Sequence, residues 1–188
     1  MHSHTRVPAL AAALAAAATL FGGPAHAQAP ADQPLAARVV TYDAGASAEF
    51  RAAVDRGAAI WNESVDNVEL RPVASGQRAN IRILADDGWP RALTTSLGNG
   101  TVYIGRQAVD QGYNTVRISA HELGHILGLP DRKPGPCTSL MSGSSAGVAC
   151  TNPYPNAAEK AEVEGNFGAA LARPAGTPGT PGTVTIVD

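Results

Sequence analysis

His121 and His125 stand four residues apart in the run His121-Glu122-Leu123-Gly124-His125. On an α-helix that spacing puts both imidazoles on one face, one turn apart, so both can reach a single ion. Glu122 lies beside the first histidine and can point at a water held by that ion without binding the ion itself. Zinc suits these donors: imidazole nitrogen binds it at ~2.0–2.1 Å, and a catalytic site keeps three protein ligands and an open position for water. The third donor cannot come from the same helical face unless the chain turns back. Gly128 supplies the turn, because glycine accepts the left-handed dihedrals that end a helix. Pro130 stiffens the approach, and Asp131, ten residues past His121, is the first side chain after the turn able to coordinate. Glu122 is then the candidate general base for hydrolysis. Two surface histidines on an amphipathic helix are the bland alternative, and they leave Gly128 and Asp131 without a task.

Two other readings use the same donors. Two histidines and one carboxylate also form the facial triad of non-haem iron oxygenases. That reading gives Glu122 no role, and an exported protein is a poor place for Fe(II). The other is a secreted metal-binding module without turnover, distinguished by whether any function is lost with Glu122.

Export follows from the N-terminus, which opens Met1-His2-Ser3-His4-Thr5-Arg6, runs apolar from Val7 to Phe21 and reaches Ala25-His26-Ala27. A basic start, a short apolar stretch and a small-x-small site define a secretory signal peptide over residues 1–27. As an anchor the run falls short of the ~20 residues a bilayer needs, so no membrane association is expected after cleavage. Removing 27 of 188 residues takes three of five histidines, one of two methionines and one of 14 basic residues, leaving 161 residues with 13 basic against 16 acidic. His121, His125 and Met141 are the histidines and methionine that remain. With no basic surplus to neutralise phosphates, nucleic acid is excluded as a partner. The length fits one domain, and 44% hydrophobic content excludes wholesale disorder. Cys137 and Cys150, an even pair in an exported chain, read most simply as a disulfide worth roughly 3 kcal/mol, over a free-thiol or metal pair.

The elements that must position these residues can be read in outline. Residues 28–37, rich in Ala and Pro, form a flexible leader or short pro-segment. Arg38 to Tyr42 has strand composition. A helix follows, with Ser47 as candidate cap and an apolar stripe of Phe50, Val54, Ala58, Trp61 and Val65, which makes Trp61 a core residue. Further strands are expected at Val68–Val73, Asn80–Ala85 and Thr101–Gly105, the last after a Gly98-Asn99-Gly100 turn. Thr101–Gly105 is the candidate edge for adding an extended substrate, with an internal strand as the alternative. The metal-site helix spans about Thr115 to Leu127, and residues 134–155 form a Gly/Ser/Pro-rich loop. Asn156 caps the last helix with Glu159 returning the bond, a capping box, and Val163, Phe167 and Leu171 make its stripe. The folded domain is then residues 38–172, and 173–188 is a Gly/Thr/Pro-rich linker or tail.

His121 to Asp131, followed by Ser139-Leu140-Met141-Ser142-Gly143, resembles the metzincin pattern with Asp where most members carry a third His. That variant is similar to the snapalysin family, the small neutral metalloproteases secreted by streptomycetes. The resemblance covers most of residues 39–172, including Ile60-Trp61-Asn62, Cys137, Cys150 and the run from Thr151 to Asn156. It implies an α/β (α+β) zincin domain: a small twisted, mostly parallel sheet with an edge strand, an active-site helix and a C-terminal helix. It implies a zinc endopeptidase, acting on extracellular proteins or peptides as a monomer, that prefers Tyr or Phe just after the scissile bond. By matched positions His121, His125 and Asp131 would be zinc ligands, Glu122 the base and Met141 the turn methionine below the metal, where it would otherwise read as a gap-filling loop residue. Cys137 and Cys150 would be bridged. The chain also departs from the family. The Tyr expected two residues after the Asp ligand is Lys133, either a transition-state donor or a solvated lysine, and Tyr154 is a second candidate or a core aromatic. A Ca²⁺ site before the metal helix would match Asn114 and Val116, which replace an Asp and a Thr, and losing a carboxylate weakens a hard-cation site.

Overall fold

The computed structural model describes residues 36–171 and 186–187. The signal peptide, residues 28–35 of the leader, and most of the tail lie outside the described residues. β1 (Arg38–Ala46) alternates, with Val40, Tyr42 and Ala44 buried and their neighbours turned outward, the period-2 pattern of a strand with one face on a core. It pairs in parallel with both β2 (Val68–Pro72) and β3 (Ile81–Asp86), and β3 pairs in parallel with β5 (Asn99–Gly105). The parallel β1–β2 pair requires a crossover, supplied by α1 (Arg51–Asn62). The stripe Phe50, Val54, Ala58, Trp61 and Val65 is buried throughout. Its first member belongs to a 3-10 turn, Ala48–Phe50, and Ser47 does not cap α1: its hydroxyl donates to the Ala44 carbonyl at 2.7 Å.

Sheet order is β2-β1-β3-β5-β4-β6, and β4 (Arg91–Ser96) runs antiparallel to β5. Of the two readings of Thr101–Gly105, edge or internal, the internal one holds: that segment lies in β5, flanked by β3 and β4. β4 escaped the sequence reading because Arg91-Ala92-Leu93-Thr94-Thr95-Ser96 holds only two apolar residues, too few for an alternation signal. Its outer side meets β6 (Ile186–Val187), antiparallel, with Ala92 opposite Val187 and Leu93 opposite Ile186. Two tail residues expected in a linker are therefore paired to the sheet. The short α2 (Arg106–Asp110), also unanticipated, leads to α3 (Thr115–Ile126).

α3 packs on α1, where the Trp61 indole Nε1–H donates to the Ala120 carbonyl at 2.8 Å. α4 (Ala157–Leu171) begins with the expected box: Asn156 Oδ1 accepts from the amides of Ala158 and Glu159 at 2.9 and 3.0 Å, and Glu159 accepts from the Asn156 amide at 2.7 Å. Val163 and Phe167 are fully buried, whereas the Leu171 side chain lies outside the described residues. Cys137 and Cys150 are bridged, with Cα atoms 5.5 Å apart. Among the described residues no helix is long and apolar enough to cross a membrane.

Phe167 is the anchor that joins α4 to the shared core. Truncating it to Ala is expected to remove about 3–5 kcal/mol of stability, read as a lowered urea midpoint at unchanged slope. A loss below about 1 kcal/mol would mean that α4 is not part of the cooperative core.

Candidate active site

α3 starts at Asn114, whose Oδ1 accepts from the Arg117 amide at 2.9 Å, satisfying one of the orphan N–H groups of the first turn. Its last turns are buried, and His121, Glu122 and His125 are each less than a tenth exposed. The helix stops at Gly128 with φ +96°. The Gly128 amide bonds the His125 carbonyl and the Leu129 amide the Gly124 carbonyl, both at 3.0 Å, which is the Schellman pair that closes a helix through a left-handed residue. A side chain at 128 would also meet Asn166 Nδ2 at 2.7 Å. The turn sends the chain back over the histidines.

Three acceptor atoms meet there. His121 Nε2 and His125 Nε2 are 3.1 Å apart, and Asp131 Oδ1 lies 3.3 and 3.7 Å from them. Each Nδ1 faces a main-chain carbonyl, Leu140 O at 3.0 Å for His121 and Leu129 O at 2.8 Å for His125. A carbonyl cannot donate, so Nδ1 carries the hydrogen in each ring, and in a neutral ring Nε2 presents its lone pair to the shared space. Asp131 Oδ1 is buried with no hydrogen-bond partner. Two lone pairs and an orphaned carboxylate oxygen converge without a donor, an arrangement a cation completes. Two nitrogens bound at ~2.05 Å in a tetrahedral site would sit about 3.3 Å apart, close to the separation found. The donor set therefore fits a metal, and these three residues are the one group of three or more His, Cys, Asp or Glu so placed among the described residues.

Burial opposes a charge on His121, yet the adjacent Asp131 and Glu122 carboxylates hold its pKa above the ordinary value. Burial, then repulsion from His121, pushes His125 down to about 4. Burial acts to raise Asp131, but the adjacent His121 ring and the Lys133 ammonium outweigh it and hold the carboxyl at about 2. At neutral pH Asp131 is thus ionised and His125 neutral. Burial lifts Glu122 to about 7, and its Oε2 has no hydrogen-bond partner.

Met141 is fully buried. A Cβ on Gly124 would meet its Sδ at 2.8 Å and Trp61 Cζ2 at 3.1 Å, so the missing side chain between the two histidines lets the methionine and the indole close up under the helix. In front of Glu122 and His121 lies a cavity walled by Trp89, Pro90, Ala108, Tyr113 and Ile118, with Trp89 and Tyr113 edge to face at 5.8 Å. A second depression joins Thr94–Leu97 to His125 and Gly128. β4 and its approach therefore flank the histidine face of α3 at both ends.

The other residues predicted for the site divide. Lys133 reaches it: Nζ is 2.8 Å from Asp131 Oδ2, and the side chain lines the cavity. Tyr154 does not, and neither is it a core aromatic. It is 39% exposed, and its hydroxyl bonds Arg56 and Glu63 at the end of α1. Asn114 Oδ1 accepts from the Arg117 amide in the helix cap, and the Val116 side chain carries no oxygen. The wall from β4, the burial of Arg117 and the burial of Glu159 beyond its capping role were not expected from the sequence. Arg117 sits alone between Val116 and Ile118, and an isolated cation inside an apolar helical run was the available signal.

An extracellular small neutral protease of Streptomyces lividans is 42% identical over 135 residues, covering 71% of this chain and 59% of that protein. The same-named protein of Streptomyces sp. (strain C5) is 42% identical over 128 residues, covering 68% and 56% respectively. That of Streptomyces caespitosus is 43% identical over 126 residues, covering 66% of this chain and 92% of that protein. The chain thus spans less than two thirds of the first two and nearly all of the third. The family profile matched by residues 37–169 takes in β1 through most of α4 and with them every donor described above. On that match the chain belongs to the Streptomyces extracellular neutral proteinase (M7) family.

Proposed function

We propose that this chain is a secreted zinc-dependent endopeptidase whose metal is held by His121, His125 and Asp131 and whose general base is Glu122. The observation that carries the reading is the convergence of three donor-free acceptor atoms beside a buried carboxylate with an unpaired oxygen. Zinc there would polarise the scissile carbonyl and lower the pKa of a coordinated water from 15.7 toward ~7. Glu122 takes the proton of the attacking water on Oε2 while the hydroxyl adds to the carbonyl carbon, then delivers that proton to the leaving amine. Lying at about 7 before any cation is added, Glu122 is close to the range where a base is both ionised and able to hold a proton. We assign Lys133 to Asp131 rather than to the oxyanion, because its Nζ is already engaged at 2.8 Å. An iron facial triad would leave Glu122 idle.

The aromatic-lined cavity beside Glu122 fits a large apolar side chain after the scissile bond, consistent with a preference for Tyr or Phe. The backbone of an extended substrate would add to β4, whose Thr94–Ser96 end lies beside His125. Ile186 and Val187 pair with that same edge, so substrate and tail contend for the same main-chain groups. The domain carrying these functions is residues 38–172, following a signal peptide and short leader.

Glu122→Gln is expected to lower kcat on casein by 10²–10⁴-fold with bound zinc unchanged. An active variant would return the protein to a metal-binding role without turnover. Because a raised pKa means the carboxylate is lost as pH falls, wild-type kcat/KM should fall on an acid limb at or below pH ~7, and the variant should lack that limb. Asp131 lowers the charge of the site by one relative to a third imidazole, which leaves the coordinated water a weaker acid. Asp131→His should therefore retain zinc and move the activity profile to lower pH, and an unmoved profile would refute this account. A chain ending at residue 172 should show a lower KM at unchanged kcat, whereas an unchanged KM would show that the tail does not compete.

A further inference from the structure

We propose that Glu159, on α4, is a positioning residue for His121, acting through the single peptide plane between Leu140 and Met141. The Leu140 carbonyl accepts from His121 Nδ1 at 3.0 Å, and the Met141 amide, on the same plane, donates to Glu159 Oε1 at 2.9 Å. In a trans peptide the C=O and N–H point in opposite directions, so one rigid unit joins the carboxylate to the imidazole. A charged acceptor on the N–H polarises the amide and strengthens its carbonyl as an acceptor. The result is the carboxylate–histidine pairing that fixes tautomer and ring orientation at metal sites, with one peptide inserted.

The carboxylate is built for this role. Glu159 is fully buried and accepts three further bonds, from the Ser139 hydroxyl at 2.6 Å, the Leu140 amide at 3.1 Å and the Asn156 amide at 2.7 Å. Burial acts to raise its pKa, but these bonds outweigh it and keep the group ionised. Capping α4 requires only the bond to Asn156, so the three bonds to residues 139–141 are unexplained by the cap. Arg117, 6% exposed, braces the same segment, donating to the Ser139 carbonyl at 2.8 Å and to Ser142 Oγ at 2.9 Å. His125 supplies an internal control. Its Nδ1 faces the Leu129 carbonyl, whose peptide partner is Pro130, a residue without an N–H to polarise. Any effect passed through the peptide should reach His121 and spare His125.

The inference rests on His121 being a metal ligand, and the two can fail separately. In the metal-free full chain, the Nδ1–H proton resonance of His121 should move upfield in Glu159→Gln while that of His125 stays in place. In chelator competition with Zn²⁺, the variant should bind about 10-fold more weakly than wild type. Should Gln prevent folding, Glu159→Asp keeps the charge, withdraws it by one methylene and should give the same selective shift. A variant that loses only thermal stability, with both histidine resonances and zinc affinity unchanged, would overturn the proposal. Wild type that binds no zinc would instead overturn the metal-site reading and leave the resonance test standing.

Discussion

Three acceptor atoms with nothing to accept from are the constraint around which the molecule is arranged. His121 Nε2, His125 Nε2 and Asp131 Oδ1 lie 3.1 to 3.7 Å apart in a setting where an unsatisfied buried polar group costs about 1–3 kcal/mol, and more when charged. Left to themselves such groups rotate away, reach water or take up protons. They stay because each is tied from behind: both Nδ1 atoms to carbonyls, and Asp131 Oδ2 to Lys133. The surrounding fold holds an energetically poor arrangement that a divalent cation turns into a good one.

Those ties explain why so much of the chain's polar chemistry is buried around a small site. Leu129 owes its position to the Gly128 turn, and Leu140 owes its position to Glu159 and Arg117. A helix end and a cross-loop carboxylate thus perform one task on two histidines by different means. Met141 and Trp61 fill the space beneath. In a close-packed interior a shift of either would be passed on to α3.

The sheet contributes differently. β1, β3 and β5 form the floor of the core, and β4 brings main chain alongside the histidine face of α3. A sheet edge binds extended peptide backbone without reference to its sequence, so in the proposed function selectivity would fall to the pocket walled by Trp89 and Tyr113. In the proposed function, chemistry and recognition would therefore come from separate elements that meet at His121, Glu122 and Lys133.

By itself the sequence determined whatever follows from spacing along one element. The helix carrying His121 and His125, the glycine that ends it, the Asn156–Glu159 box and the buried stripe of α1 were all legible, because helical periodicity and caps are local. Asp131 was legible because only a few residues separate it from that turn. Tertiary structure decided what depends on contacts between distant segments. It made Thr101–Gly105 an inner strand by adding β4, whose two apolar residues gave no pattern. It carried Tyr154 to the end of α1. It also turned Glu159 from a helix cap into a partner of residues 139–141. A side chain's local role can be read from its neighbours in the chain, but its second role depends on which remote backbone groups the fold brings to it.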